Sequence, residues 1–417
     1  MANICPMRYK TACETRFEIW RRSLITDDLR DSVPYQENPV PDSDRTLHVG
    51  QPNLSDRAAF DRLVDEMYEN RWFTNNGQLV QRLEHRLSEY LQVKHVVLVN
   101  NATTGLQIAS QALGLTGEVI LPAFTFVATA HALQWVGLKP VFCDIDPQTH
   151  CIDPLKIEAL ITEQTSAIAG VHVWGRPCPT DAIDEIASRH NLATLYDAAH
   201  AFGCRHQGRM LGNFGQCEVF SLHATKFFHT FEGGAVTTND DALAEKIRLM
   251  KNFGFESMDR VVELGINGKM PEVCAAMGLA SLEQLDDVLE INRRNYLAYD
   301  AGLSDIPYVH LHPQTNLEGT NFHYIVVEVD DDAPLSRDEL LKRLHDSQIL
   351  ARRYFFPACH RMEPYRTLYP EYLDALPETD RLCQRIMILP TGTAISPDDI
   401  SRICATIRSS LTRRKAA

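Results

Sequence analysis

The sequence lacks the cysteine spacing of a zinc or redox site. Its 11 cysteines are scattered from Cys5 to Cys404, and no two of them form a C-x-x-C pair. A cysteine of this kind is usually a small buried hydrophobic residue in a reducing compartment. A signal-peptide pattern is also missing, because charged side chains interrupt the apolar residues of the first 30 positions. We therefore expect reduced cysteines, no metal site and a cytoplasmic location.

The sequence has fewer basic than acidic residues. Forty-one lysines and arginines face 55 aspartates and glutamates, which gives a net charge of −14. Non-specific binding to nucleic acid or to an anionic membrane surface requires a broad positive field. We therefore expect neither nucleic acid nor a membrane as a partner, while a local basic pocket stays open.

Long apolar runs are rare. One stretch, residues 119–138, is uncharged over twenty residues, about the length that spans a bilayer. Pro122 and Gly137 break it, and threonine, histidine and glutamine side chains make it polar at intervals. It is therefore predicted to form a buried strand, a loop and a helix.

The order of the apolar segments predicts the fold class. Short apolar runs alternate with helix-like segments, which favours a largely parallel sheet covered by helices on both faces. The predicted strands are His95–Val99, Glu118–Leu121, Pro140–Asp144, Ala167–Val173, Thr194–Asp197, Glu218–Ser221 and Gly234–Thr238. After about residue 290 the pattern changes to a strand at Phe322–Val329 and helices opened by Ser336 and Ser396.

The length predicts two or three folding units. We expect an N-terminal extension over residues 1–46, a large α/β domain over 47–290 and a small α+β domain over 291–417. Two interpretations of the extension stay open. It is a docked or frayed segment without a catalytic role, or it is an arm that crosses a subunit interface or the mouth of the active site.

Three polar features follow the predicted strands, where ligands gather in such sheets. The turn Asn100–Gly105 leads into a helix and suits a phosphate, although a turn of this kind can also be a simple helix cap. Asp197 ends the fifth predicted strand. A buried carboxylate at this position needs a binding partner; alternatively, Asp197 caps the next helix. Lys226 lies between apolar neighbours, where desolvation lowers a lysine pKa as Schiff-base lysines require; a lone lysine is otherwise solvated. In this order the three features describe a pyridoxal phosphate site.

Further motifs extend this pattern. They are Asn75–Gly77, Asn101–Gly105, Pro122–Ala130, Pro140–Asp146, Val171–Gly175, Asp197–His200, Ser221–Lys226, Glu232–Gly234, Gly265–Met270, Arg353–Pro357 with His360, and Leu389–Pro390. In these residues the chain resembles the DegT/StrS group of type I pyridoxal phosphate enzymes over residues 50–410. The resemblance implies an aspartate-aminotransferase-like α/β fold, with a mostly parallel central sheet covered by helices and a smaller α+β C-terminal domain.

The resemblance also implies the chemistry. Lys226 forms the Schiff base with pyridoxal 5'-phosphate and then moves the proton, and Asp197 pairs with the protonated pyridine nitrogen. A branch of this group that has histidine in place of the lysine performs deoxygenation, so Lys226 favours amino transfer. Further cofactor contacts are expected from Thr103, Thr104, Phe126, His200, Ser221 and Asn267. Of these, His200 is alternatively a packed histidine, and Asn267 reaches the phosphate from a partner subunit, which implies a homodimer.

The implied substrate is a nucleotide-linked sugar. The chain is similar to relatives that aminate the 4-keto position of a nucleotide-linked 6-deoxy sugar, with glutamate as the amino donor. Expected substrate contacts are Trp72, Thr74, Asn75, Lys269, Arg353, Phe356 and His360. Aromatic faces would stack on the sugar or base, and Arg352, Arg353 or Lys269 would meet the diphosphate, with Arg352 alternatively a surface residue. His172 and Trp174 are interpreted as strand-end packing. The alternatives are a free aminocyclitol or another natural-product ketone as acceptor, and a catalytically silent binding or regulatory protein.

Overall fold

The structure is a computed structural model that describes residues 45–314 and 317–412. The extension predicted over residues 1–46 lies outside the described residues except for its last two positions. In these two ranges, no helix has the length and apolar character needed to cross a membrane.

A seven-stranded sheet forms the centre of the fold. In chain order its strands are β1 (His95–Val99), β2 (Glu118–Pro122), β3 (Lys139–Cys143), β4 (Thr165–Val171), β5 (Ala193–Asp197), β6 (Cys217–Ser221) and β7 (Gly234–Thr238). Their order across the sheet is β1-β7-β6-β5-β4-β2-β3. Neighbouring strands are parallel, except that β7 runs antiparallel to both of its neighbours. The predicted α/β fold with a mostly parallel central sheet is confirmed.

Helices cover both faces of this sheet. They are α1 (Arg57–Asn70), α2 (Gln78–Leu91), α3 (Ala102–Ala112), α4 (Val127–Trp135), α5 (Thr180–His190), α6 (Asp241–Met250) and α7 (Glu272–Leu282). Alternate residues of β1 enter different apolar clusters: Val96 and Leu98 pack in one, and Val97 and Val99 in the other. Because both faces are buried, the strands contain continuous apolar runs.

Helix α2 illustrates how the sequence forms this cover. Leu83, Leu87 and Leu91 recur every four residues, lie on one face and are fully buried. Burying each of these side chains contributes about 1.5–3 kcal/mol. The uncharged stretch 119–138 also folds as predicted, since β2, a loop and α4 occupy most of it.

A three-stranded antiparallel sheet follows in the C-terminal part. Its strands are β8 (Val309–Leu311), β9 (Ile325–Val329) and β10 (Ile386–Leu389), with β9 in the middle. The helices of this part are α8 (Leu285–Leu303), α9 (Arg337–Asp346), α10 (Glu363–Leu368), α11 (Pro377–Arg385) and α12 (Pro397–Thr412). Strand β9 is shorter than predicted because Phe322 has a φ of 50°, which an extended strand cannot adopt.

The predicted capping box begins α9. The N–H of Glu339 donates to Ser336 Oγ, and the N–H of Ser336 donates to the Glu339 carboxylate at 2.8 Å. Helix α8 crosses the boundary predicted at residue 290, and the described residues from Thr46 onward form one compact unit. The division into a large and a small domain therefore stays a prediction.

Candidate active site

A cavity of about 320 Å³ opens at the carboxyl ends of β1, β5 and β6. Parallel strands of one sheet deliver side chains from distant parts of the chain to this edge. The predicted site residues that line the cavity are Thr103, Phe126, Asp197, His200, Ser221 and Lys226. The sheet therefore brings these six together, and Thr104 lies one residue beyond Thr103 in α3.

Lys226 lies in the loop between β6 and β7. The loop is closed by main-chain hydrogen bonds, in which Leu222 donates to Gly233 and Thr230 donates to Leu222, each at 2.9 Å. The Lys226 side chain is half-buried at the cavity wall, and desolvation lowers its pKa from 10.5 to about 8, against the opposing effect of the Asp197 charge. A substantial share of the amine is thus uncharged near neutral pH and able to attack a carbonyl carbon.

Asp197 is held at both carboxylate oxygens. The N–H of Ala199 donates to Oδ1 at 3.0 Å, and the hydroxyl of Thr129 in α4 donates to Oδ2 at 2.7 Å. The carboxylate is 7% exposed, at the wall of the cavity. These contacts fix the orientation of the carboxylate at the cavity wall, where it can pair with a cationic group.

The turn after β1 leads into the N-terminus of α3, which is suited to binding an anion. Asn101 caps α3, because its side chain accepts from the N–H of Thr104 at 2.8 Å. The first N–H groups of a helix have no partner within it and favour a negative charge nearby. A Cβ atom at Gly234 would lie 2.6 Å from the carbonyl carbon of Asn101, so β7 can pass this turn only with glycine there.

Aromatic rings form the remaining wall. The Phe126 side chain is 57% exposed at the cavity, which leaves its ring available to a ligand. His200 Nδ1 accepts from the N–H of Trp174 at 3.2 Å, and burial lowers the pKa of His200 well below its usual range, so this imidazole is neutral and carries its proton on Nε2. Trp174 and Phe355 stack at 5.3 Å, which agrees with the packing role expected of Trp174.

Tyr324 is a site residue that the sequence analysis missed. Its hydroxyl lies 3.3 Å from Lys226 Nζ, and its ring lies 4.2 Å from the His200 ring. The segment containing Tyr324 was predicted to be a core strand, and a tyrosine in such a strand gives no signal of a catalytic position. Burial raises the pKa of Tyr324 well above its usual range, so the phenol stays protonated.

A separate pocket of about 160 Å³ contains two of the expected substrate residues, Asn75 and Lys269. Lys269 Nζ donates to Asn252 Oδ1 at 2.8 Å and lies 4.6 Å from the Phe253 ring centre. Trp72, Thr74 and Asn75 are exposed on the loop before α2, and Asn267 is exposed near Lys269. None of these five expected residues lines the main cavity of the described chain.

Three further expected residues also lie outside the main cavity. The Arg353 guanidinium packs 4.5 Å from the Phe356 ring and pairs with Asp338 at 3.4 Å. His360 is fully buried and bonds to Asp380 at 3.1 Å. Instead Arg352, Tyr354 and Phe355 line the cavity. The substrate-binding roles of Arg353, Phe356 and His360 stay predictions.

No group of histidine, cysteine and acidic side chains in residues 45–314 and 317–412 is arranged to hold a metal ion. The main cavity itself combines an amine, a carboxylate, a neutral imidazole and a helix N-terminus. This set suits a ligand that combines a carbonyl group, an aromatic ring and an anionic group.

Comparison with known proteins agrees with this geometry. The DegT/DnrJ/EryC1/StrS aminotransferase family model matches residues 55–408. A dTDP-4-amino-4,6-dideoxy-D-glucose transaminase from Shigella dysenteriae is 42% identical over 365 residues, which cover 88% of this chain and 99% of that protein. A GDP-perosamine synthase from Caulobacter vibrioides is 35% identical over 82% of this chain and 93% of that protein.

Solved structures share the fold. The crystal structure of DesI in the presence of its TDP-sugar product matches with a TM-score of 0.85 and 45% identity, over 89% of this chain and 94% of that one. PseC from Helicobacter pylori, an aminotransferase involved in the biosynthesis of pseudoaminic acid, matches with a TM-score of 0.82 and 27% identity, over 88% and 99%. This chain therefore belongs to the DegT/DnrJ/EryC1/StrS aminotransferase family.

Proposed function

We propose that this enzyme passes an amino group from glutamate to the C4 keto group of a nucleotide-linked 6-deoxy sugar. The observation that carries the proposal is one cavity that combines the desolvated amine of Lys226, the oriented carboxylate of Asp197 and the N-terminus of α3. The relatives named as a dTDP-4-amino-4,6-dideoxy-D-glucose transaminase and a GDP-perosamine synthase support a nucleotide-linked sugar as the substrate class.

The enzymes of this family depend on pyridoxal 5'-phosphate, which is therefore the cofactor of this chain. The cavity fits it, because an anionic phosphate needs donors and an aromatic ring needs an exposed apolar face. We assign the phosphate to the first turn of α3 (Thr103 and Thr104) and to Ser221, and the ring face to Phe126. When bound, the cofactor supplies an electron sink for a carbanion next to the amino nitrogen.

The chain's own groups then move the proton. Asp197, fixed at both oxygens, would pair with the pyridine nitrogen and keep it protonated. Lys226 Nζ would take the proton from the amino-bearing carbon and return it to the carbon on the other side of the nitrogen, since a pKa of about 8 suits both steps near neutral pH. The Tyr324 hydroxyl, 3.3 Å away, would orient the amine, and the neutral His200 would donate from Nε2.

A second copy of the chain would complete the site. Asn267 is exposed beside a groove of about 470 Å³ that includes Trp135 and Leu264, which are 83% and 89% exposed. A contiguous exposed apolar surface of this kind favours a protein–protein contact. We infer a homodimer in which Asn267 reaches the phosphate in the partner's cavity. The net charge of −14 favours neither nucleic acid nor a membrane as a further partner.

The nine cysteines that lie in the described ranges are buried and unpaired. Free buried thiols of this kind persist in a reducing compartment. This observation supports the cytoplasm as the place where the enzyme works.

Replacement of the lysine tests the chemistry. Lys226→Ala is expected to abolish turnover and the covalent link between protein and cofactor that borohydride reduction traps. The matched control is Lys342→Ala on α9, where the side chain is 76% exposed. Retention of both signals in Lys226→Ala would contradict the assignment.

The acceptor is tested by removing the nucleotide. We compare kcat/KM for dTDP-linked 4-keto-6-deoxyglucose with kcat/KM for the same sugar without the nucleotide. If cationic side chains bind the diphosphate, its loss should lower kcat/KM by about 100-fold or more, the value of two charge-assisted hydrogen bonds. Equal constants would favour a free cyclitol or another ketone as the acceptor.

A further inference from the structure

The hydroxyl groups of Thr125 and Thr129 form a hydrogen-bonded chain that ends at the Asp197 carboxylate. We propose that Thr129 and Thr125 are positioning residues, which hold the Asp197 carboxylate in the orientation that pairs with the cofactor nitrogen. The inference rests on the proposed function of Asp197, and it adds two residues of α4 and its preceding loop to the catalytic machinery without direct contact with substrate.

The contacts are short and lie between buried groups. Thr129 Oγ1 lies 2.7 Å from Asp197 Oδ2, and Thr125 Oγ1 lies 2.8 Å from Thr129 Oγ1. Thr125 is 0% exposed and Thr129 is 1% exposed. Protein therefore supplies these hydrogen bonds in place of water, and in a low-dielectric interior such bonds are stronger than in water.

The protons have one consistent arrangement. An ionised Asp197 can only accept, so the hydroxyl of Thr129 donates to it. The Thr129 oxygen is then free to accept the proton of Thr125. The carbonyl oxygen of Phe126 lies 3.1 Å from Thr129 Oγ1, but this acceptor is uncharged and more distant than the carboxylate. Both hydroxyl dipoles thus point toward the negative charge and stabilise it.

Helix α4 couples this support to the cofactor ring. Phe126 is the N-cap residue of α4 and Thr129 lies in its first turn. The same helix start therefore holds the aromatic face toward the cavity and the hydroxyl against Asp197. Because the N–H of Ala199 holds the other carboxylate oxygen at 3.0 Å, rotation of the carboxylate would break contacts on both sides.

Two substitutions at one position separate the hydroxyl from the side-chain shape. Thr129→Val removes the donor, and Thr129→Ser keeps it. The holoenzyme variants are compared by the dissociation constant of pyridoxal phosphate, by the visible spectrum of the bound cofactor between pH 6 and 10, and by thermal melting. Thr180→Val is the control, because this buried threonine has a hydroxyl without a hydrogen-bond partner in the described part of the chain.

We expect Thr129→Val to weaken cofactor binding by about 10-fold or more, the value of a hydrogen bond to a charged group, and to shift the pH dependence of the spectrum. Thr129→Ser should restore both, and Thr125→Val should have a smaller effect in the same direction. A purely structural role would lower the melting temperature and leave the spectrum and its pH dependence unchanged, which would overturn the proposal.

A double substitution tests whether the threonine acts through the carboxylate. In an Asp197→Asn background, Thr129→Val should change cofactor binding by less than about twofold, because coupled residues are not additive. Additive losses would overturn the proposal. The proposal would also be overturned if Thr129→Val bound the cofactor like the wild type while Asp197→Asn bound it poorly. That outcome would leave the proposed function intact. Wild-type cofactor binding and spectrum in Asp197→Asn would overturn the role of Asp197 itself.

Discussion

The uncharged fraction of Lys226 should control how fast the apoenzyme takes up pyridoxal phosphate. Only the uncharged amine has the lone pair that attacks the aldehyde carbon. Burial lowers the pKa of this amine from 10.5 to about 8. At pH 7 about one Lys226 side chain in ten is then uncharged, against about one in 3,000 for an ordinary lysine, a difference of about 300-fold.

Stopped-flow mixing of apoenzyme with pyridoxal phosphate measures this effect. Below pH 8 the rate constant for the absorbance change should rise about tenfold per pH unit, and above pH 8 it should level off. The sign follows from the lowered pKa, because raising the pH deprotonates the amine and produces the reactive form. Lys342→Ala should give the same profile as the wild type.

A rate that keeps rising through pH 9 toward a midpoint near 10 would contradict the lowered pKa of Lys226. Such a profile would mean that Lys226 behaves as a solvated lysine and that the loop between β6 and β7 does not desolvate it. A rate independent of pH would contradict the lowered pKa equally.

Three further substitutions test other parts of the account. Glu218 and His172 form a fully buried pair at 3.1 Å, so Glu218→Ala should lower the free energy of unfolding in urea by about 3 kcal/mol; an unchanged midpoint would contradict this. Phe126→Ala removes an exposed ring, so cofactor affinity should fall by about tenfold at constant melting temperature, and a stability loss would argue for a packing role. Mixed dimers of one Lys226→Ala subunit and one Asn267→Ala subunit should be more active than either parent. One cavity of each mixed dimer then has Lys226 from one subunit and Asn267 from the other. If mixing gives no gain in activity, Asn267 belongs to the site of its own subunit.

Much of the fold was predictable because both faces of the sheet are covered. Each strand from β1 to β7 is a short apolar run, and turns and amphipathic segments separate them clearly. The start of β9 was predicted wrongly, since the pattern of apolar residues contains no information on the positive φ of Phe322. The predicted domain boundary at residue 290 rests on a change in the order of strands and helices along the sequence, whereas helix α8 continues through this position.

The cavity residues at strand ends were predictable for the same reason. Asp197 and Ser221 end β5 and β6, and parallel strands bring such residues to one edge. Tyr324 and Thr129 were missed because they contact Lys226 and Asp197 from elements outside that rule: Tyr324 lies just before β9, and Thr129 lies in the first turn of α4. Arg352 lines the cavity and Arg353 pairs with Asp338, and two adjacent arginines in a sequence give no signal of which one faces a cavity.

The most direct test of the central claim follows a labelled nitrogen. The enzyme with pyridoxal phosphate is incubated with [¹⁵N]glutamate and dTDP-linked 4-keto-6-deoxyglucose, and the product is analysed by mass spectrometry and NMR. We expect one ¹⁵N atom on C4 of the sugar product. This label should be absent from the product of Lys226→Ala and present in the product of Lys342→Ala. Label at another carbon, or no transfer to any nucleotide-linked keto sugar while a free ketone is aminated, would contradict the central claim.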